Sequence, residues 1–113
     1  MNSNSSSSIG IVGAGTMGTG IAQIASTYGH TVYLFDAYPE QLEKSHRSLA
    51  RILNRQVEKE RMTKEEVNAI LNRINWVDHL TEFSKCDFAI EAIIEDLQAK
   101  QDQMARLEAI VPK

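Results

Sequence analysis

Ile9-Gly10-Ile11-Val12-Gly13-Ala14-Gly15-Thr16-Met17-Gly18, followed after a helix-like run by Thr31-Val32-Tyr33-Leu34-Phe35-Asp36, is the stretch that decides the fold. It reads as strand, glycine turn, helix, strand and acid. Ile9 to Val12 is a short apolar run of the kind that suits a parallel strand buried on both faces. Gly13 follows at once, where the chain must turn tightly. Gly15 carries no Cβ, so a ligand can approach its backbone closely, and Gly18 lets the helix lie near the strand. The amides of Gly15, Thr16 and Met17 then open a helix whose N-terminal dipole and unpaired N–H groups favour an anion. Ile21, Ile24, Ala25 and Tyr28 are expected to form one face of that helix, and Gly29 supplies a left-handed stop. Asp36 ends the second strand about twenty residues after the glycines, where a carboxylate accepts hydrogen bonds from ribose hydroxyls.

A Gly-x-Gly-x-x-Gly triplet alone is weak evidence, because such triplets also occur in ordinary turns. Here strand, spacing, helix, stop and acid agree on a dinucleotide fingerprint. The competing reading, in which the glycines only shape a turn and Asp36 only caps the next segment, leaves that agreement unexplained. A carboxylate at Asp36 repels a 2′-phosphate, and neither Ala37 nor Tyr38 is a cation that would receive one. NAD is therefore favoured over NADP.

At 113 residues the chain is one small domain, short for a two-domain enzyme. Hydrophobic residues at 42% and charged ones at 24% are ordinary for a globular protein, and a net charge of −3 leaves no footprint for nucleic acid. Cys86 is the single cysteine, so no intrachain disulfide forms and a reducing compartment is expected. It reads as a small buried residue at a strand start. No apolar run is long enough to span a bilayer, which argues against a membrane partner. Residues 1–8 lack the basic start and apolar core of a signal peptide and read as a disordered tail, leaving the cytoplasm as the expected location.

Beyond the fingerprint, Pro39 fixes the first turn of a second helix whose apolar residues are Leu42, Leu49, Ile52 and Leu53. Thr63-Lys64-Glu65-Glu66 is a capping box that starts a third, with Met62 and Val67 as a staple and Val67, Ile70, Leu71 and Ile74 as its stripe. Ile74 to Asp78 forms a third strand, followed by a turn region with His79, Leu80 and Phe83. His79 lacks a partner at a recognisable spacing and reads as a surface residue. Asp87 to Ala92 is the fourth strand, and Asp96 can cap a last helix burying Leu97, Met104, Leu107 and Val111. The sum is an α/β, Rossmann-type parallel sheet of four strands in the order 3-2-1-4 with helices on both faces. Residues 9–113 form this domain and a helix pair occupies about 39–73. Ligands of such sheets lie outside the carboxyl ends of the strands, so Glu91 to Glu95 are placed to meet the cofactor. With no further strand after Pro112, the fourth strand's outer edge is left unpaired, and the chain is expected to be a fragment of a longer protein.

Gly13-Ala14-Gly15-Thr16-Met17-Gly18-Thr19-Gly20-Ile21-Ala22 and Gly29-His30-Thr31-Val32 closely resemble the N-terminal region of the 3-hydroxyacyl-CoA dehydrogenases. The resemblance covers nearly the whole chain after the tail. That family carries a helix pair between the acid and the third strand, then Glu-Ala-Ile/Val-x-Glu and Leu-x-x-Lys after the fourth. This sequence has Glu91-Ala92-Ile93-Ile94-Glu95 and Leu97-Gln98-Ala99-Lys100. The resemblance implies that Gly13, Gly15, Thr16, Met17 and Gly18 line the pyrophosphate, that Asp36 holds the adenosine ribose, and that the backbone of Ala92 and Ile93 lies under the cofactor. It also implies that Glu95 and Lys100 reach the nicotinamide ribose, set against an i,i+5 pair of solvated helix charges. Arg51, Arg55, Lys59 and Arg61 are candidates for a CoA phosphate contact, set against an ordinary charged face.

The reaction so implied is reversible oxidation of an L-3-hydroxyacyl-CoA, with hydride passing to NAD and a His, oriented by a Glu, taking the hydroxyl proton. His30, His46 and His79 stand outside the family's catalytic context. The resemblance therefore implies that no catalytic residue lies in this chain and that the helical C-terminal domain, through which the family dimerises, is absent. Two other readings remain open: a dehydrogenase of small 3-hydroxy acids, and a nucleotide-binding module without catalysis.

Overall fold

The computed structural model describes residues 7–92. Within them the chain runs β1 (Ser8–Val12), α1 (Thr16–Thr27), β2 (Thr31–Phe35), α2 (Pro39–Glu58), α3 (Lys64–Asn72), β3 (Ile74–Val77), a short 3-10 helix (Leu80–Lys85) and β4 (Phe88–Glu91). All pairings are parallel and the order is β3-β2-β1-β4, as expected. Residues 1–6 of the expected tail and the expected last helix lie outside the described residues. Ser8, expected in the tail, instead begins β1 opposite Thr31. It is held there because its N–H donates to Asp87 Oδ2 at 2.8 Å and its carbonyl accepts from Asp87 N at 2.7 Å.

Strand handedness distributes the helices. The chain moves from β1 to β2 to β3 in one direction, so right-handed crossovers put α1, α2 and α3 on one face of the sheet. The return from β3 to β4 runs the other way, and the same handedness places the 3-10 helix on the opposite face. Side chains alternating along the strands follow this division. Ile9, Ile11, Val32, Leu34 and Ile74 meet Ala22, Leu49, Leu53, Val67 and Ile70 on the helical face. Val12 and Phe35 meet Leu80, Phe83 and Cys86 on the other. Central β1 is thus covered on both faces, and Ile11 and Val12 are wholly buried.

The local signals for α2 and α3 hold. Pro39 occupies the first turn of α2. Thr63 Oγ1 accepts from Glu66 N at 3.1 Å while Glu66 Oε1 accepts from Thr63 N at 2.7 Å, which completes the capping box. Leu49 and Leu53 are almost fully buried, each contributing roughly 2 kcal/mol by removal from water. Ile52, expected beside them, is 40% exposed because it lies at the rim of α2's buried stripe, toward a groove described below.

Two expectations fail for physical reasons. On α1 the buried residues are Gly18, Thr19, Ala22, Ala25 and Ser26, whereas Ile24 and Tyr28 face outward. The helix lies so close to the sheet that only small side chains fit beneath it, and apolar periodicity that ignores size selects the wrong edge. The region of Leu80 and Phe83, expected as a turn, is a 3-10 helix whose Phe83 ring is fully buried edge-on to Phe35, centroids 6.4 Å apart. Gly10 makes room for that ring: a Cβ there would lie 2.7 Å from Phe83 carbons and 3.0 Å from Cys86 Sγ. Gly10→Ala is therefore expected to cost about 1–3 kcal/mol through overpacking. Urea denaturation monitored by circular dichroism should show the midpoint fall, and an unchanged midpoint would show that the ring can move aside.

Candidate functional site

In an open α/β sheet the ligand crevice lies outside the carboxyl ends of the strands where the strand order reverses, here β1 and β4. The glycine turn forms its floor. Gly13 adopts φ +109°, a conformation open to glycine and strained for other residues. Its N–H donates to Phe35 O at 2.8 Å, tying the turn to β2. A Cβ on Gly18 would sit 1.7 Å from the Gly13 carbonyl oxygen, so α1 and the turn touch backbone to backbone. Gly15 is different, because a Cβ on it would meet only Gln41 Nε2, at 4.0 Å. The three glycines thus separately satisfy the three needs of a pyrophosphate turn: tight reversal, open approach and close helix packing.

Gly15 is the N-cap of α1, no side chain caps it, and no acid stands in the first turn. The opening amides of α1 therefore lack intrahelical acceptors and present a positive dipole end to the crevice. Thr16 and Met17 are exposed there. Asp36 lies alongside, half-buried. Its Oδ2 accepts from Ala14 N and its Oδ1 from Tyr38 N, each at 2.9 Å. The carboxylate thus braces the turn and also caps the approach to α2. Each oxygen has two lone pairs, so acceptor capacity remains for sugar hydroxyls. Ala92 follows β4, is buried, and donates its N–H to Val12 O at 2.8 Å, placing a small residue beside the turn. Gly13, Gly15, Thr16, Met17, Gly18, Asp36 and Ala92 are therefore gathered at one end of the sheet. Ile93, Glu95 and Lys100 lie outside the described residues. An open Gly15 surface, uncapped amides and a strand-end carboxylate fit a dinucleotide.

One feature escaped the sequence reading. A groove of about 300 Å³ runs from the turn between α1 and α2, with Gly15, Thr16, Gln41, Lys44, Ser48 and Ile52 along it. Its α2 side is a stripe at helical spacing, residues 41, 44, 45, 48 and 52, which a search for polar periodicity would have found. Beneath it Ser45 Oγ lies 2.7 Å from Thr19 Oγ1 and accepts from Trp76 Nε1 at 3.1 Å, so α1, α2 and β3 are pinned together. Arg51, Arg55, Lys59 and Arg61 are all exposed, and none of them lines this groove, whose cation is Lys44.

His79, His46 and Cys86 are structural or solvated, whereas Glu91 at the end of β4 keeps one buried carboxylate oxygen, Oε2, without a hydrogen-bond partner among the described residues. His79 is exposed and its ring nitrogen lies 3.5 Å from Asp78 Oδ1, a neighbour the spacing argument had passed over. An exposed pair of this kind contributes little. His46 stacks on Trp76, centroids 4.2 Å apart. Cys86 is buried, and burial, aided by the Asp87 charge, pushes its thiol up to about 11. It stays protonated at neutral pH and is a poor nucleophile.

A doubly wound parallel sheet bearing this glycine turn and acid at its switch point is a dinucleotide-binding domain. Residues 8–113 match the family model of the 3-hydroxyacyl-CoA dehydrogenase NAD-binding domain. A "probable 3-hydroxybutyryl-CoA dehydrogenase" of Bacillus subtilis is 39% identical over 102 residues, covering 90% of this chain and 36% of that protein. The 3-hydroxyadipyl-CoA dehydrogenase of Escherichia coli is 33% identical over 104 residues, covering 92% and 22%. Among solved structures, an (S)-3-hydroxybutyryl-CoA dehydrogenase from Ralstonia eutropha superposes with a TM-score of 0.90 at 32% identity, over 96% of this chain and 38% of that one. The chain belongs to the 3-hydroxyacyl-CoA dehydrogenase NAD-binding domain family, and its cofactor is NAD. It spans little more than a third of the length of the 3-hydroxybutyryl-CoA dehydrogenases it matches. Among the described residues, no helix is long and apolar enough to cross a membrane.

The raised thiol pKa makes folding stability fall at high pH. The folded chain holds the Cys86 proton beyond the ordinary value of 9.0, up to about 11, so unfolding is increasingly favoured as pH rises through that window. Below it the contribution to stability is complete. Disulfide-exchange labelling at about pH 8 should be slow in the native chain and rapid in denaturant, and equal rates would refute the burial.

Proposed function

We propose that this chain is the cofactor-binding part of an NAD-dependent oxidoreductase interconverting L-3-hydroxyacyl-CoA and 3-ketoacyl-CoA. The observation carrying this reading is the open surface of Gly15 beneath uncapped α1 amides, with Asp36 braced 2.9 Å from the amide of Ala14. Its support for acyl-CoA chemistry comes from relatives named for 3-hydroxybutyryl-CoA and 3-hydroxyadipyl-CoA.

In this reading Gly13, Gly15, Thr16, Met17 and Gly18 hold the pyrophosphate through backbone amides. Asp36 accepts the adenosine ribose hydroxyls with lone pairs left by Ala14 and Tyr38. Ala92 and Ile93 form a backbone floor, and Glu95 and Lys100 reach the nicotinamide ribose. NAD supplies the hydride acceptor when bound. The residues of this chain bind and orient it, and the base that takes the hydroxyl proton is assigned to sequence that this chain does not share with its longer relatives. The whole protein is assigned to the cytoplasm and to a homodimer.

Incubating the full-length protein with acetoacetyl-CoA and NADH should consume NADH, and no loss of its absorbance would refute the assignment. In this chain, Asp36→Ala is expected to raise the NADH dissociation constant about tenfold or more, since ribose hydrogen bonds to a charged acceptor contribute roughly 1.5–3 kcal/mol. Calorimetric titration measures it, and unchanged affinity would remove Asp36 from the ribose site.

A further inference from the structure

The second glycine of a dinucleotide turn is bare so that the pyrophosphate can occupy the space a side chain would fill. At Gly15 that space has a far wall. The nearest atom to a Cβ built there is the amide nitrogen of Gln41, at 4.0 Å, and both residues line the groove between α1 and α2. Gln41 reaches this position from the first turn of α2, not from the glycine turn itself.

That placement is held from several sides. Pro39 fixes the entry to α2, Gln41 N donates to Tyr38 O at 2.9 Å, and the Tyr38 amide is in turn held by Asp36 at 2.9 Å. Leu42 is buried in the core, and Ser45, one turn on, bonds Thr19 of α1 at 2.7 Å. The amide of Gln41 is therefore carried by a helix start tied to both the acid and the helix that frame the crevice. A side-chain amide can donate two hydrogen bonds and adds no charge. Lys44, three residues on in the same groove, adds positive potential nearby.

We infer that the side-chain amide of Gln41 donates a hydrogen bond to the pyrophosphate of bound NAD, closing from α2 a cradle that the glycine turn leaves open on one side. This rests on the dinucleotide reading of the crevice. It adds a donor that the glycine fingerprint does not contain.

The test is titration of the 113-residue chain with NADH, followed by nicotinamide fluorescence, for the unsubstituted chain and for Gln41→Leu, Gln41→Glu and Gln41→Arg. Losing one donor to a charged group should weaken NADH about tenfold in Gln41→Leu. Gln41→Glu should bind more weakly still, with its gap from Gln41→Leu closing as salt is raised. Gln41→Arg restores a donor and should recover affinity to that of the unsubstituted chain or beyond. Thermal melts of the ligand-free variants should coincide. Equal NADH affinity in Gln41→Leu and the unsubstituted chain, or failure of Gln41→Arg to exceed Gln41→Leu, would overturn the inference while leaving the dinucleotide reading intact. No binding by the unsubstituted chain would overturn that reading and this inference with it.

Discussion

The contact on which the rest depends is between the carbonyl of Gly13 and the backbone of Gly18. With 1.7 Å between that oxygen and the place a Cβ would take, α1 can lie only as it does if residue 18 is glycine. Close approach aims the N-terminus of α1 at the ends of β1 and β4. It also sets what the helix can bury, because a helix lowered onto the sheet leaves room for Ala22, Ala25 and Ser26 and none for Ile24 or Tyr28. The placement of the uncapped amides and the small-residue seam are two results of one constraint.

Much of this was legible in the sequence, for reasons that differ between elements. The glycine turn, its stop at Gly29 and the capping box at Thr63 are read from backbone requirements that few residues satisfy, and Gly29 indeed takes φ +96°. Strand order came with the Rossmann-type pattern of strand, glycine turn, helix, strand and acid, and the pairings have it as β3-β2-β1-β4. What periodicity cannot carry is distance. Ile24 and Tyr28 fit an apolar face, yet proximity of α1 to β1 decides which edge of that face is covered. Phe83 was hidden for a related reason: a six-residue 3-10 helix is too short to show a period, and its pocket is made by Gly10, far away in sequence. The groove beside Gly15 was legible in principle, as a polar stripe on α2 whose spacing was read only for its apolar residues.

Asp36 shows why a single residue can look both structural and functional. Its two oxygens each take a backbone N–H, from Ala14 within the turn and from Tyr38 ahead of α2. Asparagine would offer one oxygen and one N–H₂ group, so one of those amides would face another donor. Only a carboxylate satisfies both and keeps lone pairs for a sugar. The same negative charge disfavours a 2′-phosphate, so cofactor preference and the bracing of the turn share one group.

The polar seam between α1 and α2 extends this logic outward. Thr19, Ser45 and Trp76 form a closed set in which the Ser45 hydroxyl receives the indole N–H and meets the Thr19 hydroxyl, with Ala14 O as a further acceptor at 3.3 Å. An apolar seam would resist sliding of α2 along α1 only through shape, since the hydrophobic effect itself is non-directional. Hydrogen bonds between three elements are directional, and a slide that breaks one leaves a buried hydroxyl unpaired at a cost of about 1–3 kcal/mol. The register of α2 against the glycine turn is therefore fixed by polar groups. That fixed register holds Gln41 across from Gly15, at the mouth of the crevice.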